Sequence, residues 1–399
     1  MLVPHSASIS PSKSQMILLT LLVLFSPLAI DIYLPAFPLM QESFHVEHAQ
    51  VQDTISWFLF AMGIGQLFAG PLADKLGRRT VALGGIGIYG VSALLAWSAQ
   101  SIEWMLVARL LQGLGACATS VAAFATVRDL FGPQKSGKMI SYLNGAICFI
   151  PALAPILGSW LTQQFGWRSN FSFMAGFAIT VLAMMIIGMK ETNLAPSKEP
   201  VFKLQRYISI LQTPTFLFHA SLCMLAMAVI LAYVTSAPVV LMAKLGLNMN
   251  EFTFWFGLNA AINIIACMTA PKCMDKMGTR ATLMIGLIVL MLSGVLMLML
   301  ASIDRPLAFM LPIFLSSVGF AWILGAAAGK ALAPFGDKAG TAAALLGLFQ
   351  MSGSGLVIAL VQRLGLEPQT LIAIQMLIVM PWLMVLFTKS GRSWHQVTA

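Results

Sequence analysis

Charge is what this chain has least of. Only 9% of its 399 residues are Asp, Glu, Lys or Arg, while 59% are hydrophobic; an ordinary soluble domain carries about 25% charged residues. A soluble core cannot absorb that much apolar surface without leaving large sticky patches. A lipid bilayer can. Cysteine is scarce too. The five, Cys117, Cys148, Cys223, Cys267 and Cys273, form no Cys-x-x-Cys pair and have no histidine at metal spacing. They read as small packing residues, and no metal site is expected. The five histidines (His5, His45, His48, His219 and His395) fall in tails, loops or at a span edge, and no role is expected for them.

Soluble-enzyme signatures are missing or accidental. Gly85-Ile-Gly87-Ile-Tyr-Gly90 matches a dinucleotide-binding glycine pattern but lies inside an apolar run with no strand before it, where glycines let helices approach closely. Gly325-Ala-Ala-Ala-Gly329-Lys330-Ala331 is one residue short of a phosphate-binding loop and lacks the terminal Ser or Thr that would hold magnesium. No Ser/His/Asp or metal-ligand spacing stands out. Neither an enzyme nor a cofactor is expected, nor, with no nucleotide site, is ATP-driven transport within this chain. The formal charge of +9 does not point to nucleic acid, because the basic residues are dealt out singly between apolar stretches.

What is there is a series of apolar runs of about 20 residues, the length that spans a bilayer. Twelve are expected, at 16–36, 51–73, 80–99, 104–126, 138–162, 168–189, 215–242, 252–272, 281–301, 307–329, 339–362 and 369–388. The run after Gln15 is too long for a signal-peptide core, so it is taken as the first span. With the N-terminus inside, 18 of the 23 basic residues fall on the cytoplasmic side and four (Arg168, Lys244, Arg305 and Arg363) outside. That bias fits the positive-inside rule, and both termini in the cytoplasm require an even span count. The longest polar connection, 190–214, contains Pro196 and Pro200 and divides a first half (1–189) from a second (215–399). The expected fold is an all-α membrane protein, twelve transmembrane helices in two pseudo-symmetric six-helix bundles.

The doubling shows in a motif. Gly70-Pro-Leu-Ala-Asp74-Lys75-Leu76-Gly77-Arg78-Arg79-Thr80 is echoed by Pro271-Lys-Cys-Met-Asp275-Lys276-Met277-Gly278-Thr-Arg280, an offset of 201 residues between Asp74 and Asp275. Self-similarity on that scale marks two copies of one unit. Two charges lie deep in spans, Asp31 in the first and Arg109 in the fourth, and neither has a charged counterpart one repeat later. Each costs about 2.5–3.5 kcal/mol at a helix centre on the mild insertion scale, so each needs a reason. Two readings stay open. The pair could fix helix register as a buried ion pair, which apolar packing would replace at little cost. Alternatively Asp31 is a proton site. Burial favours the neutral carboxyl and a nearby cation the charged one, so movement can switch the proton.

On these residues the chain resembles the major facilitator superfamily, specifically its twelve-span drug:proton antiporters of the Bcr/CflA branch, and within them the MdtL-type multidrug transporters. Gly70, Asp74, Gly77, Arg78 and Arg79 match the superfamily signature between the second and third helices, and Arg109, Gln112, Gly113, Gly115 and Ala116 match the fourth-helix signature. Phe124-Ala-Thr-Val-Arg128-Asp129 and Ser236-Ala-Pro238-Val-Val-Leu-Met242 resemble branch features; Leu143 to Gly158, Ala331 to Phe335 and Ala339-Gly340 resemble the MdtL type. The fifth-helix antiporter signature is incomplete. Pro155 and Gly158 fit, but Ile150, Ala154 and Ser159 stand where glycines are expected. Pro151 and Pro155, with Gly158, are read either as bending a packed helix or as limiting leakage.

The resemblance implies alternating access, two bundles rocking about a central cavity. It implies export of drug-like molecules, chloramphenicol-like ones among them, from a bacterial inner membrane by a monomer whose partners are substrate, protons and lipid. Asp31 would carry the proton and Arg109 would answer its charge. Tyr33, Gln112, Asn144, Tyr233, Asn259 and Asn263 are candidate cavity residues, each equally open to ordinary helix–helix hydrogen bonding. Asp74, Arg78, Arg128 and Asp275, with Gly70, Gly77 and Arg79, would form a cytoplasmic gate, or else solvated topology anchors. One proton crossing about 100 mV supplies about 2.3 kcal/mol and one pH unit about 1.4 kcal/mol, together enough for roughly a 500-fold gradient of a neutral substrate. A transporter of a physiological solute, such as a nucleoside or sugar, and a non-transporting receptor are the alternatives.

Overall fold

Residues 13–193, 204–335 and 338–395 are described in the computed structural model, and there the chain is helices joined by short turns, with no strand. Among the described residues twelve helices are long and apolar enough to cross a membrane: α1 (Ser14–Phe44), α2 (His48–Leu76), α3 (Arg78–Trp97), α4 (Ile102–Gly132), α5 (Tyr142–Phe165), α6 (Ser169–Gly188), α7 (Pro214–Lys244), α8 (Met249–Met277), α9 (Thr279–Leu300), α10 (Pro306–Leu332), α11 (Ala339–Gln362) and α12 (Pro368–Phe387). Every expected span is present. Residues 194–203, which hold Pro196, Pro200, Lys198 and Lys203 of the expected linker, lie outside the described residues, as do residues 1–12. Helices are the required answer in lipid, where each backbone N–H and C=O must be satisfied within its own segment. Their outer faces stay apolar. Ile187 is 88% exposed and Met299 72%, as side chains bathed by acyl chains must be.

The doubling is carried into three dimensions. α2 and α8 are each 29 residues long, and each opens on a capping box, Glu47 with Gln50 and Asn248 with Glu251. Each ends on a single glycine in the left-handed region, Gly77 at φ 94° and Gly278 at φ 81°, and the next helix starts at once. A residue with a Cβ is strained there, so glycine closes both turns. Glycines also set the spacing inside each half. A Cβ on Gly85 would meet the Gly115 carbonyl at 3.0 Å, and one on Gly286, 201 residues on, would meet the Gly319 carbonyl at 3.2 Å. Of the dinucleotide-like glycines of α3, Gly85 and Gly90 thus serve helix packing, while Gly87 faces open space.

Two boundaries differ from the sequence expectation. The first span does not stop at Ala36: α-helix runs to Asp31, gives way to a 3-10 turn at Leu34–Ala36 around Pro35, and resumes over Phe37–Phe44. The connection expected between the fourth and fifth spans is itself helical. Ile102–Phe165 is interrupted only at Gly132, with φ 66° and ψ 177°. Gly132-Pro133 explains this, since glycine takes the left-handed position that ends one helix and proline is tolerated in the first turn of the next. α7 and α11 each contain a π-helical stretch, Pro238–Lys244 and Phe349–Gly353. A short helix, Leu204–Leu211, precedes α7, and another, Lys389–Ser393, follows α12.

Candidate functional site

Between the two halves lies a cavity of about 650 Å³. Its walls come from α2 (Gln66, Gly70, Asp74), α4 (Val121, Phe124, Arg128, Asp129), α5 (Asn144), α10 (Ala328, Leu332) and α11 (Thr341, Gln350), with Arg206 and Tyr207 from the connecting helix. It therefore sits at the end of the molecule that carries the Gly70–Thr80 turn. The opposite end is shut by contacts between the halves. Gln52 Nε2 donates to the Thr235 carbonyl at 2.9 Å, Gln163 Nε2 to Asn250 Oδ1 at 3.4 Å, and Ser352 Oγ to the Phe60 carbonyl at 2.6 Å. Gly63 and Gly355 make the closure possible. A Cβ on Gly63 would overlap Ser352, and one on Gly355 would stand 3.2 Å from the Ser56 carbonyl.

Arg109 is fully buried, yet it does not meet Asp31, and the structure corrects the reading of the two as an ion pair: no salt bridge joins them among the described residues. The guanidinium instead donates to the Ala29 carbonyl (2.8 Å), to the Thr54 carbonyl (3.2 Å) and to Gln112 Oε1. It also stands over the rings of Phe58 (4.5 Å) and Tyr33 (4.9 Å). Ala29 lies in the last turn of α1 before its break, where carbonyls lose their helical partners. A cation there satisfies one of them and complements the negative end of the helix dipole. Arg109 is in effect the cap of a helix broken in mid-membrane. Gly113, one turn on, makes this reach possible, because a Cβ there would collide with the Phe58 carbonyl.

Asp31 is the last helical residue before that break and is 4% exposed. Among the described residues no hydrogen bond or ion pair reaches its carboxyl group. Gly158 keeps the break open to α5, since a Cβ there would overlap the carbonyl of Ile32. The helix around it continues through Pro151 and Pro155. Tyr33 Oη hydrogen-bonds Thr54 Oγ1 at 2.8 Å, and Gln112 Nε2 points at Met174 Sδ, 3.6 Å away, so both pack within the first half. Tyr233 stacks on Phe256 at 5.5 Å with its buried hydroxyl unpaired. Asn259 accepts from Ser317 Oγ at 2.8 Å and Asn263 lies beside Cys267. Of the six candidate cavity residues, Asn144 is on the cavity wall in this conformation.

The signature turn is a network of the first half and the residues just past α6. Arg78 pairs with Asp74 at 2.5 Å and with Asp129 at 3.0 Å. Arg128 lines the cavity nearby. Glu191, just past α6, accepts from the backbone N–H of Arg78 (2.9 Å) and Arg79 (3.0 Å) at the start of α3. Partial burial raises the Glu191 pKa, but the N–H groups of Asn193, Arg78, Arg79 and Thr192 outweigh it and leave the carboxyl below its ordinary value. Arg79 has another task. It donates to the Ile186 carbonyl at 2.8 Å, and its counterpart Arg280 donates to the Leu386 carbonyl at 2.7 Å. The second arginine of the motif therefore ties the start of the third helix of each half to the end of its sixth. Asp275 is exposed, with no ion pair among the described residues.

Sequence reasoning missed Glu191, Gln66 and Gln350. An acidic residue directly after the sixth span, on the side of the turn, was the available signal for the first. Isolated amides inside apolar runs were the signal for the other two.

Comparison with known proteins gives concordant findings. The sequence profile described as Major Facilitator Superfamily matches residues 19–358. Multidrug resistance protein MdtL of Citrobacter koseri is 34% identical over 346 residues, 86% of this chain and 87% of that protein. MdtL of Escherichia coli O17:K52:H18 is 31% identical over 374 residues, 93% of this chain and 94% of its own. Among solved structures, the human organic anion transporter MFSD10 superposes with a TM-score of 0.69 at 17% identity, covering 94% of this chain and 99% of its own. A D-xylose-proton symporter superposes with a TM-score of 0.71 at 15% identity, covering 93% and 96%. The two structural likenesses speak for the fold alone.

Proposed function

The chain belongs to the major facilitator superfamily, and from that membership we propose that it is a proton-coupled exporter of drug-like small molecules, seen here open to the cytoplasm. The multidrug resistance proteins it resembles along most of their length support the substrate class. In this reading residues 1–189 and 215–399 are the two rocking bundles, 190–214 links them, and each chain works as a monomer around its own cavity. The basic bias of the loops supports both termini in the cytoplasm of a bacterial inner membrane. The work is transport, with no chemical step on the substrate.

The observation that carries the coupling is Asp31, a buried carboxyl with no counter-ion among the described residues, at a break in a transmembrane helix. An unpaired carboxylate in such a place is costly, so Asp31 carries its proton in this conformation. Substrate entering from the cytoplasmic cavity moves α1 against α5, wets the carboxyl and releases the proton inward. Rocking then opens the outer end, where a proton from outside returns Asp31 to its neutral form and substrate leaves. Arg109 holds the broken end of α1 in register throughout. In this reading Asp74, Arg78 and Arg128 of the first half and Asp275 of the second latch the inner gate when the cavity closes inward, and among the described residues no ion pair joins the two sets here.

The test is proton release from purified protein on addition of substrates, chloramphenicol-like compounds first. Wild type releases protons. Asp31→Asn remains folded and releases none, and unchanged release in that variant sinks the assignment.

A further inference from the structure

Two histidines with no expected role meet at the inner end of the second half. His219 lies in the second turn of α7 and is fully buried; His395 follows the short helix Lys389–Ser393 after α12. Three contacts hold the two rings. His219 Nδ1 is 2.7 Å from the Thr215 carbonyl, His395 Nδ1 is 2.8 Å from the Gly391 carbonyl, and the two Nε2 atoms face each other at 3.3 Å. A carbonyl oxygen can only accept, so each Nδ1 carries a hydrogen. A neutral imidazole has one N–H, and with both spent on carbonyls the two Nε2 atoms oppose lone pair to lone pair. Three hydrogen bonds need three protons, and two neutral rings supply two.

We propose that His219 and His395 form a binding site for one shared proton, separate from the transport cavity, which clasps the C-terminal segment to α7. One proton between the Nε2 atoms completes the set. None leaves the lone pairs opposed; two set N–H against N–H and charge against charge. The segment also packs through Trp394, whose ring centroid is 5.2 Å from that of Phe218 and 6.4 Å from that of His219.

A metal ion is the other species two imidazole nitrogens can share, and Nε2 atoms about 3.3 Å apart fit one edge of a tetrahedral site with bonds of about 2.0–2.1 Å. The surroundings argue against it. Among the described residues no group of three or more His, Cys, Asp or Glu could hold a metal. The charged groups facing His395 from neighbouring helices are Lys330 at the end of α10 and Arg280 at the start of α9, both cations, while Lys389 and Arg392 on its own segment are basic too. A single proton asks less of such a site than a divalent ion does. Burial, then these two cations, push the His395 pKa below the ordinary range while the Gly391 carbonyl opposes them. The shared hydrogen bond has to outweigh that push for the docked pair to hold its proton, and the optimum then lies where two free imidazoles together hold one, at about 6.5.

The undocked segment binds zero, one or two protons as pH falls, and the docked pair holds one. Docking is therefore bell-shaped in pH, weakening up to about tenfold per unit on each flank. The experiment is acrylamide quenching of Trp394 in the full-length protein, read as the difference between wild type and Trp394→Phe. A minimum in accessibility at mildly acid pH, rising on both sides, is the expected result. His395→Gln offers an amide N–H to His219 Nε2 at every pH and is expected to flatten the profile. A profile that is flat, or that changes on one side only, overturns the proposal, as does release of the segment by a metal chelator at constant pH.

Discussion

Arg109→Lys separates two explanations for a buried cation. If Arg109 serves as a positive charge answering Asp31, lysine replaces it well. If its work is the fork that joins the Ala29 carbonyl, the Thr54 carbonyl and Gln112 Oε1, lysine fails, because one ammonium on a flexible stem cannot reach three partners held by three turns of different helices. Lysine keeps at most one of these bonds well. Hydrogen bonds to charged groups contribute about 1.5–3 kcal/mol each, so losing two costs roughly 3–6 kcal/mol, to which the stacking on Phe58 and Tyr33 adds about 1 kcal/mol. The amides beyond the break in α1 are expected to exchange faster as well, since the cap at Ala29 is gone. Unfolding in a mild detergent, read by loss of helical signal, measures the first effect, and hydrogen exchange over residues 29–37 the second. Arg109→Lys with wild-type stability and exchange refutes the capping argument and restores the charge-pair reading.

Other expectations follow from the same contacts. Arg79→Ala and Arg280→Ala each remove a bond from guanidinium to the end of a sixth helix, and both are expected to lower stability by about 1–3 kcal/mol; Arg78→Ala, whose partners are Asp74 and Asp129 at the cavity rim, is expected to change transport more than unfolding. Gly158→Ala places a methyl against the Ile32 carbonyl and is expected to abolish transport, while Gly87→Ala, with open space around it, leaves transport intact and adds about 0.5–1 kcal/mol of stability; equal transport in the two variants refutes the role of Gly158. Glu191 has a lowered pKa in the folded protein, so its contribution is present above its unfolded value of about 4.3 and fades as pH falls through the folded one. Glu191→Gln is expected to remove that part of the acid dependence of unfolding, and an unchanged profile rules it out.

Much of this protein is legible in one dimension because lipid is a simple solvent. Twelve apolar runs had to be twelve helices, and the Asp-Lys-apolar-Gly echo at an offset of 201 residues fixed the equivalence of Gly77 with Gly278 and of Arg79 with Arg280. The glycines of the third span were readable as close approaches, and Gly85 and Gly90 make them. Where the pattern misled, a local backbone preference was at work. Pro35 broke α1 without ending it, and Gly132-Pro133 turned an expected loop into a helix start.

What the sequence could not decide is which polar groups meet. Asp31 and Arg109 are the two deep charges, and proximity in composition suggested a pair, yet the arginine turns to carbonyls freed by the break beside Asp31 and leaves the carboxyl alone. His219 and His395, 176 residues apart, face each other through their Nε2 atoms. Class, span number and the internal repeat depend on hydrophobicity and period, properties that sum along a chain. Partner choice depends on angles and distances between helices, set by glycine contacts and closing bonds far apart in sequence, and those exist only once the helices have packed.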